Sequence, residues 1–293
     1  MSMTMTEEPT RMSCMEIWGG NQATDQSFVA PGIDIYVHSA PYMASEVGGG
    51  DIYYLTSCAS GRISRMLLAD VSGHGATAAD VAVALRDLLR ANVNKISQTQ
   101  FVEGMNREFG RMAEDSCFAT AIVATYFEPT RTLSLSIAGH PYPFYYSSAR
   151  NEWVHLDPQV VKENDIGNLP LGILEESSYP GRKIKTQIGD MFLLYSDALI
   201  ESVHRNDEQL GMAGILDLLN GMGTPDPKTV IPNLRSALES MSEGNLLDDD
   251  ATMILGHLTT TKTRLRDNLM APIRLLGEVC DNTRLSNSEP GKN

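Results

Sequence analysis

Two kinds of apolar pattern divide the chain. Period-2 alternation or short apolar runs predict strands at 33–38, 52–56, 63–70, 118–127, 133–137, 144–147, 191–196 and 251–258. Leu133, Leu135 and Ile137, separated by Ser134 and Ser136, give the clearest alternation. The 118–127 run is mostly apolar, as in a strand covered on both faces. Helical spacing takes over at 76–91, where Val81, Leu85, Leu88 and Leu89 share a face. It returns at 98–113 through Phe101, Met105, Phe109 and Met112, with Ser97 and Thr99 as candidate caps. Residues 208–220 and 227–242 predict two further helices. The 1–15 segment reads as a polar, poorly ordered lead, 16–28 has no clear period, and 151–179 is rich in loops.

Hairpin-linked strands with helices in two clusters predict an α+β layered sandwich. The expected division is an N-terminal extension over 1–30, a main domain over 31–260 and a helical tail over 261–293. In the tail, Leu265, Leu269, Ile273 and Leu276 form an amphipathic stretch. It lacks the basic face of a membrane-surface helix and reads instead as a packing or homodimer element.

Composition narrows the function. Hydrophobic residues make up 42% of the 293, enough for a sizeable core. Thirty-seven acidic against 23 basic side chains give a net charge of −14, which argues against a nucleic-acid partner. Cysteines 14, 58, 117 and 280 form no CxxC pair, so a zinc ribbon is excluded and free thiols in a reducing cytoplasm are expected. No apolar run approaches the roughly 20 residues of a membrane helix, and the first residues lack the pattern of a signal peptide. The expectation is a cytoplasmic protein with no membrane partner.

Candidate chemistry lies in acids at strand ends. Asp70 ends the 63–70 run and precedes Ser72-Gly73-His74-Gly75, Asp51 follows Gly48-Gly49-Gly50, Asp197 ends the 191–196 run, and Asp249 precedes the last strand. Any one such acid is more often a turn residue or a cap. Four of them placed by stiff strands can instead meet at one edge of a sandwich. All-oxygen ligands favour Mg²⁺ or Mn²⁺, and two such ions about 3.5–4 Å apart make a hydrolytic site for phosphoryl groups. The triple glycine is not a P-loop, because no Gly-Lys-Ser/Thr follows. Ser72 lacks the flanking glycine of a nucleophile elbow. His74 and His140 read as turn residues, although His74 lies close enough to the acids to donate a proton to a leaving group.

With these residues in view, the chain resembles the PPM-type metal-dependent serine/threonine phosphatases, in their bacterial SpoIIE/RsbU-like branch. The resemblance rests on Gly49-Gly50-Asp51, Asp70-Val71-Ser72-Gly73-His74-Gly75, Ala138-Gly139-His140-Pro141, Pro170-Leu171-Gly172, Ser196-Asp197 and Asp249-Asp250-Ala251-Thr252, in family order over 33–258. It implies an α-β-β-α sandwich of two antiparallel sheets. It also implies two Mn²⁺ or Mg²⁺ ions: Asp70 shared as the catalytic ligand, Asp197 and Asp249 on one ion, Asp51 and the Val71 carbonyl on the other. A hydroxide between the ions would attack phosphorus in line. The implied substrate is a phosphoserine or phosphothreonine on a regulatory protein, often an anti-sigma-factor antagonist. Regulation would come from a separate activator or from the helices at 76–91 and 98–113. Ala198 stands where the family usually has Gly. A phosphoprotein-binding pseudophosphatase without turnover is the alternative that this departure raises.

Overall fold

The computed structural model describes residues 8–12, 16–42, 48–58, 61–72, 76–92, 97–112, 118–156, 168–261 and 280–283. The strands in chain order are β1 (Thr10–Arg11), β2 (Glu16–Gly20), β3 (Thr24–Ala30), β4 (Ile33–Ala40), β5 (Asp51–Cys58), β6 (Ile63–Val71), β7 (Ala119–Phe127), β8 (Thr132–Ala138), β9 (Phe144–Ser147), β10 (Glu152–His155), β11 (Arg182–Lys185), β12 (Met191–Tyr195), β13 (Ala251–Leu258) and β14 (Cys280–Thr283). Helices α1 (Ala76–Asn92) and α2 (Gln98–Met112) follow β6. Helices α3 (Ala198–Glu201), α4 (Gly211–Gly221) and α5 (Val230–Met241) lie between β12 and β13.

The strands form two seven-stranded sheets. One runs β1-β3-β4-β13-β12-β9-β10 and the other β11-β8-β7-β6-β5-β2-β14. Pairing is antiparallel except for β1 with β3 and β14 with β2. Strand alternation explains the stacking. On β5 and β6 of the second sheet, Tyr53, Leu55, Met66 and Leu68 point inward and meet Ile35, Val37, Phe192 and Ile254 of the first. Their neighbours Tyr54, Leu67 and Ala69 point outward and are covered by Leu85, Leu89, Phe101 and Met105 of α1 and α2. The outer face of the first sheet, through Leu193, Tyr195, Met253 and Leu255, packs against Ile215, Leu219, Leu234 and Leu238 of α4 and α5. The result is the α-β-β-α sandwich with three apolar layers.

Buried Arg65 is the one charged residue among the largest fully buried side chains. Its Nε donates to Thr125 Oγ1 at 3.1 Å, and its guanidinium lies 4.2 Å from the centre of the Phe101 ring, tying α2 to the sheet.

The boundary expected at residue 30 does not coincide with an edge of this body. β2 is hydrogen-bonded to β5, β3 pairs along β4, and Met12 sits in the inter-sheet core. Polar Thr24, Asp25, Gln26 and Ser27 hide the period of β3, because its outer half meets solvent or other polar groups. β10 and β11 emerge from the loop-rich region. The predicted tail helix lies outside the described residues, whereas β14, beyond it, joins the second sheet beside β2.

Candidate active site

Parity brings the sequence-predicted acids together. Asp51 and Asp70 are Cα partners on β5 and β6, and Asp70 is also the partner of Thr120 on β7. All three share the inward phase of Tyr53, Leu68 and Ile122, so they project between the sheets. On the facing sheet, Ser39 and Thr252 are partners on β4 and β13 with hydroxyl oxygens 3.0 Å apart. Ser196, just past β12, accepts a hydrogen bond from the Thr252 amide at Oγ (2.9 Å), while its own amide donates to the Thr252 carbonyl (3.0 Å). Acids of one sheet therefore face hydroxyls of the other at the same end of the sandwich.

The triple-glycine turn before β5 is fastened from that facing sheet. The Gly50 amide donates to Asp250 Oδ2 (2.5 Å) and the Tyr42 amide to Oδ1 (2.6 Å). A Cβ on Gly49 would lie 2.3 Å from Asp250 Oδ1, so a side chain there would have to displace the Asp250 carboxylate. A Cβ on Gly50 would stand 3.2 Å from the Val71 carbonyl oxygen, 3.4 Å from Asp250 Oδ2 and 3.5 Å from Asp70 Oδ1. Gly50 thus leaves open a space that three oxygens border. Beyond it, Ser72 donates from its amide (2.9 Å) and from Oγ (2.7 Å) to the Phe118 carbonyl, which fixes the exit of β6.

The electrostatics are those of crowded carboxylates. Burial pushes Asp70 up to about 6, and the charges of Asp197, Asp249, Asp250 and Glu201 add to the rise. Asp51 is held well above the carboxylate range by burial, with Asp70 and Asp250 raising it further while Ser196 and Thr252 favour its anion. Asp197 is raised by burial and by Asp249, and Glu201 by burial and by Asp197. Asp51 Oδ2 is buried without a hydrogen-bond partner, which is costly unless a cation or proton meets it.

These donors fit a hard divalent cation. Every group bordering the space offers oxygen, and the orphaned Asp51 oxygen is aimed into a region of net negative charge. Among the described residues no three His, Cys, Asp or Glu side chains stand at the mutual spacing of one ion's ligands. Mg²⁺ does not require that, since it keeps several waters and takes only one or two carboxylates.

Of the predicted site residues, Asp51, Asp70, Asp197 and Asp249 act on a common region through charge, and the Val71 carbonyl borders it. Asp249 is exposed and its Oδ1 accepts from the Asp250 amide at 2.7 Å. Asp250, Ser196 and Thr252 stand in the sequence motifs, but the sequence assigned them no role. The run Asp248-Asp249-Asp250 gave no phase, but Asp250 continues the inward parity of Thr252. His74 lies outside the described residues. His140 lies at a turn, as its neighbours predict, but its ring is buried: Nδ1 is 3.0 Å from Thr120 Oγ1 and Nε2 is 3.0 Å from the Tyr195 carbonyl. Ala198 takes helical backbone in α3 and its methyl is buried in the helix-side core, so the extra carbon is accommodated there.

The family model for stage II sporulation protein E matches residues 60–258. The chain belongs to the SpoIIE family. Among relatives, this SpoIIE-family chain is 24% identical over 228 residues to phosphoserine phosphatase RsbU of Bacillus subtilis, covering 76% of this chain and 63% of that protein. The crystal structure of RsbU and RsbW domains from Mycobacterium tuberculosis aligns with TM-score 0.64 and 26% identity, over 80% of this chain and 63% of that one. The PP2C phosphatase domain of Bacillus subtilis SpoIIE, solved with a fragment of its regulatory domain, aligns with TM-score 0.65 and 16% identity, over 78% and 64%. The chain therefore spans under two thirds of the length of these relatives, and the fold is that of the PP2C phosphatases. No helix among the described residues is long and apolar enough to cross a membrane.

Proposed function

We propose that this SpoIIE-family chain is a Mn²⁺- or Mg²⁺-dependent phosphatase for phosphoserine or phosphothreonine on a regulatory protein. The observation that carries the reading is the Asp51–Asp70 rung between the sheets, with Asp51 buried and Asp70 raised by partial burial and by the acids around it. The match to a relative named as a phosphoserine phosphatase supports the substrate class.

In this reading Asp70, Asp197 and Asp249 would hold one ion, some of them through its waters, and Asp70 with Asp51 and the Val71 carbonyl would hold the other. When bound, such ions supply Lewis acidity toward phosphoryl oxygens and bring the pKa of water near neutrality. The protein groups do the rest. Ser196 and Thr252 favour the Asp51 anion against the burial that raises its pKa, Gly50 leaves the approach open, and Asp250 holds the turn that aims Asp51. The partners proposed are a phosphorylated anti-sigma-factor antagonist and a separate activator protein. The catalytic body corresponds to the matched 60–258 region with the strands that precede it.

The test is hydrolysis of p-nitrophenyl phosphate and of a phosphoserine-bearing antagonist protein with and without Mn²⁺. The wild type is expected to turn both over only with metal, and Asp70→Asn to lose that activity. Equal rates in the two proteins would sink the proposal.

A further inference from the structure

The two sheets are separate ladders, so their spacing at the site end depends on side chains that reach across. His140 is such a side chain. It follows β8, where Gly139 takes a left-handed φ of +67° and is packed so closely on Pro170 that a Cβ would lie 2.5 Å from its Cγ. That turn is fastened by the Gly139 amide on the Asn168 carbonyl at 2.7 Å and by a bridge to Ala121. The backbone of His140 thus belongs to the frame of the second sheet, and its ring crosses to the first.

The bonding fixes the proton. The Tyr195 carbonyl can only accept, so Nε2 carries the hydrogen. Burial holds the imidazolium form down to about 4, so the ring is neutral, Nδ1 is bare, and Thr120 Oγ1 donates to it. Each partner lies next to a site acid. Thr120 is the rung partner of Asp70, and Tyr195 is two residues before Asp197. One rigid ring therefore connects β7, at the rung partner of Asp70, to the strand end that bears Asp197.

We propose that His140 is a positioning residue whose imidazole spans the two sheets and sets the separation of Asp70 from Asp197, and hence the grip of the site on a divalent cation. The inference rests on the metal-site reading above. A side chain of this kind tunes metal affinity without touching the ion, and loss of such partners costs about tenfold to a hundredfold in affinity.

The experiment uses Mn²⁺ alone, titrated calorimetrically into the whole chain as wild type, His140→Gln and Thr120→Val, with thermal melts alongside. Thr120→Val keeps the shape of the side chain and the histidine in place, so it serves if His140→Gln does not fold. In parallel, ¹⁵N spectra of the histidine rings report the tautomer, and the signal lost in His140→Gln assigns His140. The expected result is a neutral, Nε2-protonated ring that persists as pH falls toward about 4, with Mn²⁺ affinity down about tenfold or more in the folded variants. A ring that titrates near the ordinary histidine value, or folded variants that take Mn²⁺ as tightly as wild type, overturns the proposal. No Mn²⁺ uptake by wild type would overturn the metal reading itself, and the ring spectrum separates that failure from a failure of the bridge.

Discussion

Asp51 and Asp70 sit directly opposite each other on one rung of the β5–β6 ladder, both aimed into the space between the sheets. Two carboxylates so placed cannot both ionise without cost: burial raises both, most strongly the buried Asp51, and Asp70 adds to the rise at Asp51. The arrangement disfavours the doubly ionised, metal-free form, and the cation proposed above would relieve it.

Replacing Asp70 by Asn removes a carboxylate whose ionised form is disfavoured by burial and by its acidic neighbours. The metal-free protein should then melt about 2–4 °C higher, the response of a domain of this size to roughly 1 kcal/mol. The same variant should lose the stabilisation by Mn²⁺ that the wild type shows. Paired scanning-calorimetry runs with chelator and with Mn²⁺ check both signs.

The pH dependence follows from the same group. Asp70 titrates at about 6 in the fold against an ordinary value of 3.8, so the folded chain holds this proton more tightly than the unfolded one. The contribution to stability is full below 3.8 and is lost as pH rises through about 6. In chelator, the melting temperature should fall between about pH 4 and pH 7 on account of this group. Mn²⁺ affinity should rise over the same window, because the ion competes with the proton. A melting temperature in chelator that is flat across the window would contradict the assignment.

Asp249 and Asp250 are adjacent but should behave differently. Asp250→Ala strips the acceptor from the Tyr42 and Gly50 amides and should cost about 2–3 kcal/mol in urea denaturation. Gly49→Ala drives a methyl onto Asp250 Oδ1 and should cost about 1–3 kcal/mol by the same measure. Asp249→Ala should weaken Mn²⁺ binding while leaving the urea midpoint in chelator near that of wild type.

Asn106 fastens α2 to the loop after Pro170. Its buried amide donates to the carbonyls of Leu174 (2.8 Å) and Glu175 (3.1 Å) and accepts from the Gly172 amide (3.0 Å). That loop pairs with Ala119 through Leu171, and Ala119 is the rung partner of Val71. Asn106→Ala should cost about 2–3 kcal/mol and speed hydrogen exchange at Gly172.

Most of the sandwich was legible because its central strands are covered on both faces and its helices on one. Apolar runs such as 191–195 and the helical face of Val81, Leu85, Leu88 and Leu89 leave little choice of period. What was hidden lies near the sheet edges. β3 and β11 carry Thr24, Asp25, Lys183 and Lys185 because a strand near an edge meets water, and its alternation is diluted. The site acids were legible as strand-end residues and through the family motifs. Their division of labour was not, since Asp250 differs from Asp249 only by which backbone amides reach it, and those come from residues 42 and 50. His140 read as a turn residue because its Pro and Gly neighbours signal a turn. The turn exists, but a left-handed glycine aims the ring inward.

The sheets' lack of a shared ladder has a temporal consequence. Each sheet can complete its backbone hydrogen bonds alone, yet Asp70 meets Asp197 only after the two apolar faces have closed. Ionised carboxylates at one end work against that closure like a wedge, and the proposed cation would be its clasp. Competence for chemistry therefore belongs to neither sheet alone and exists only while the two layers are closed.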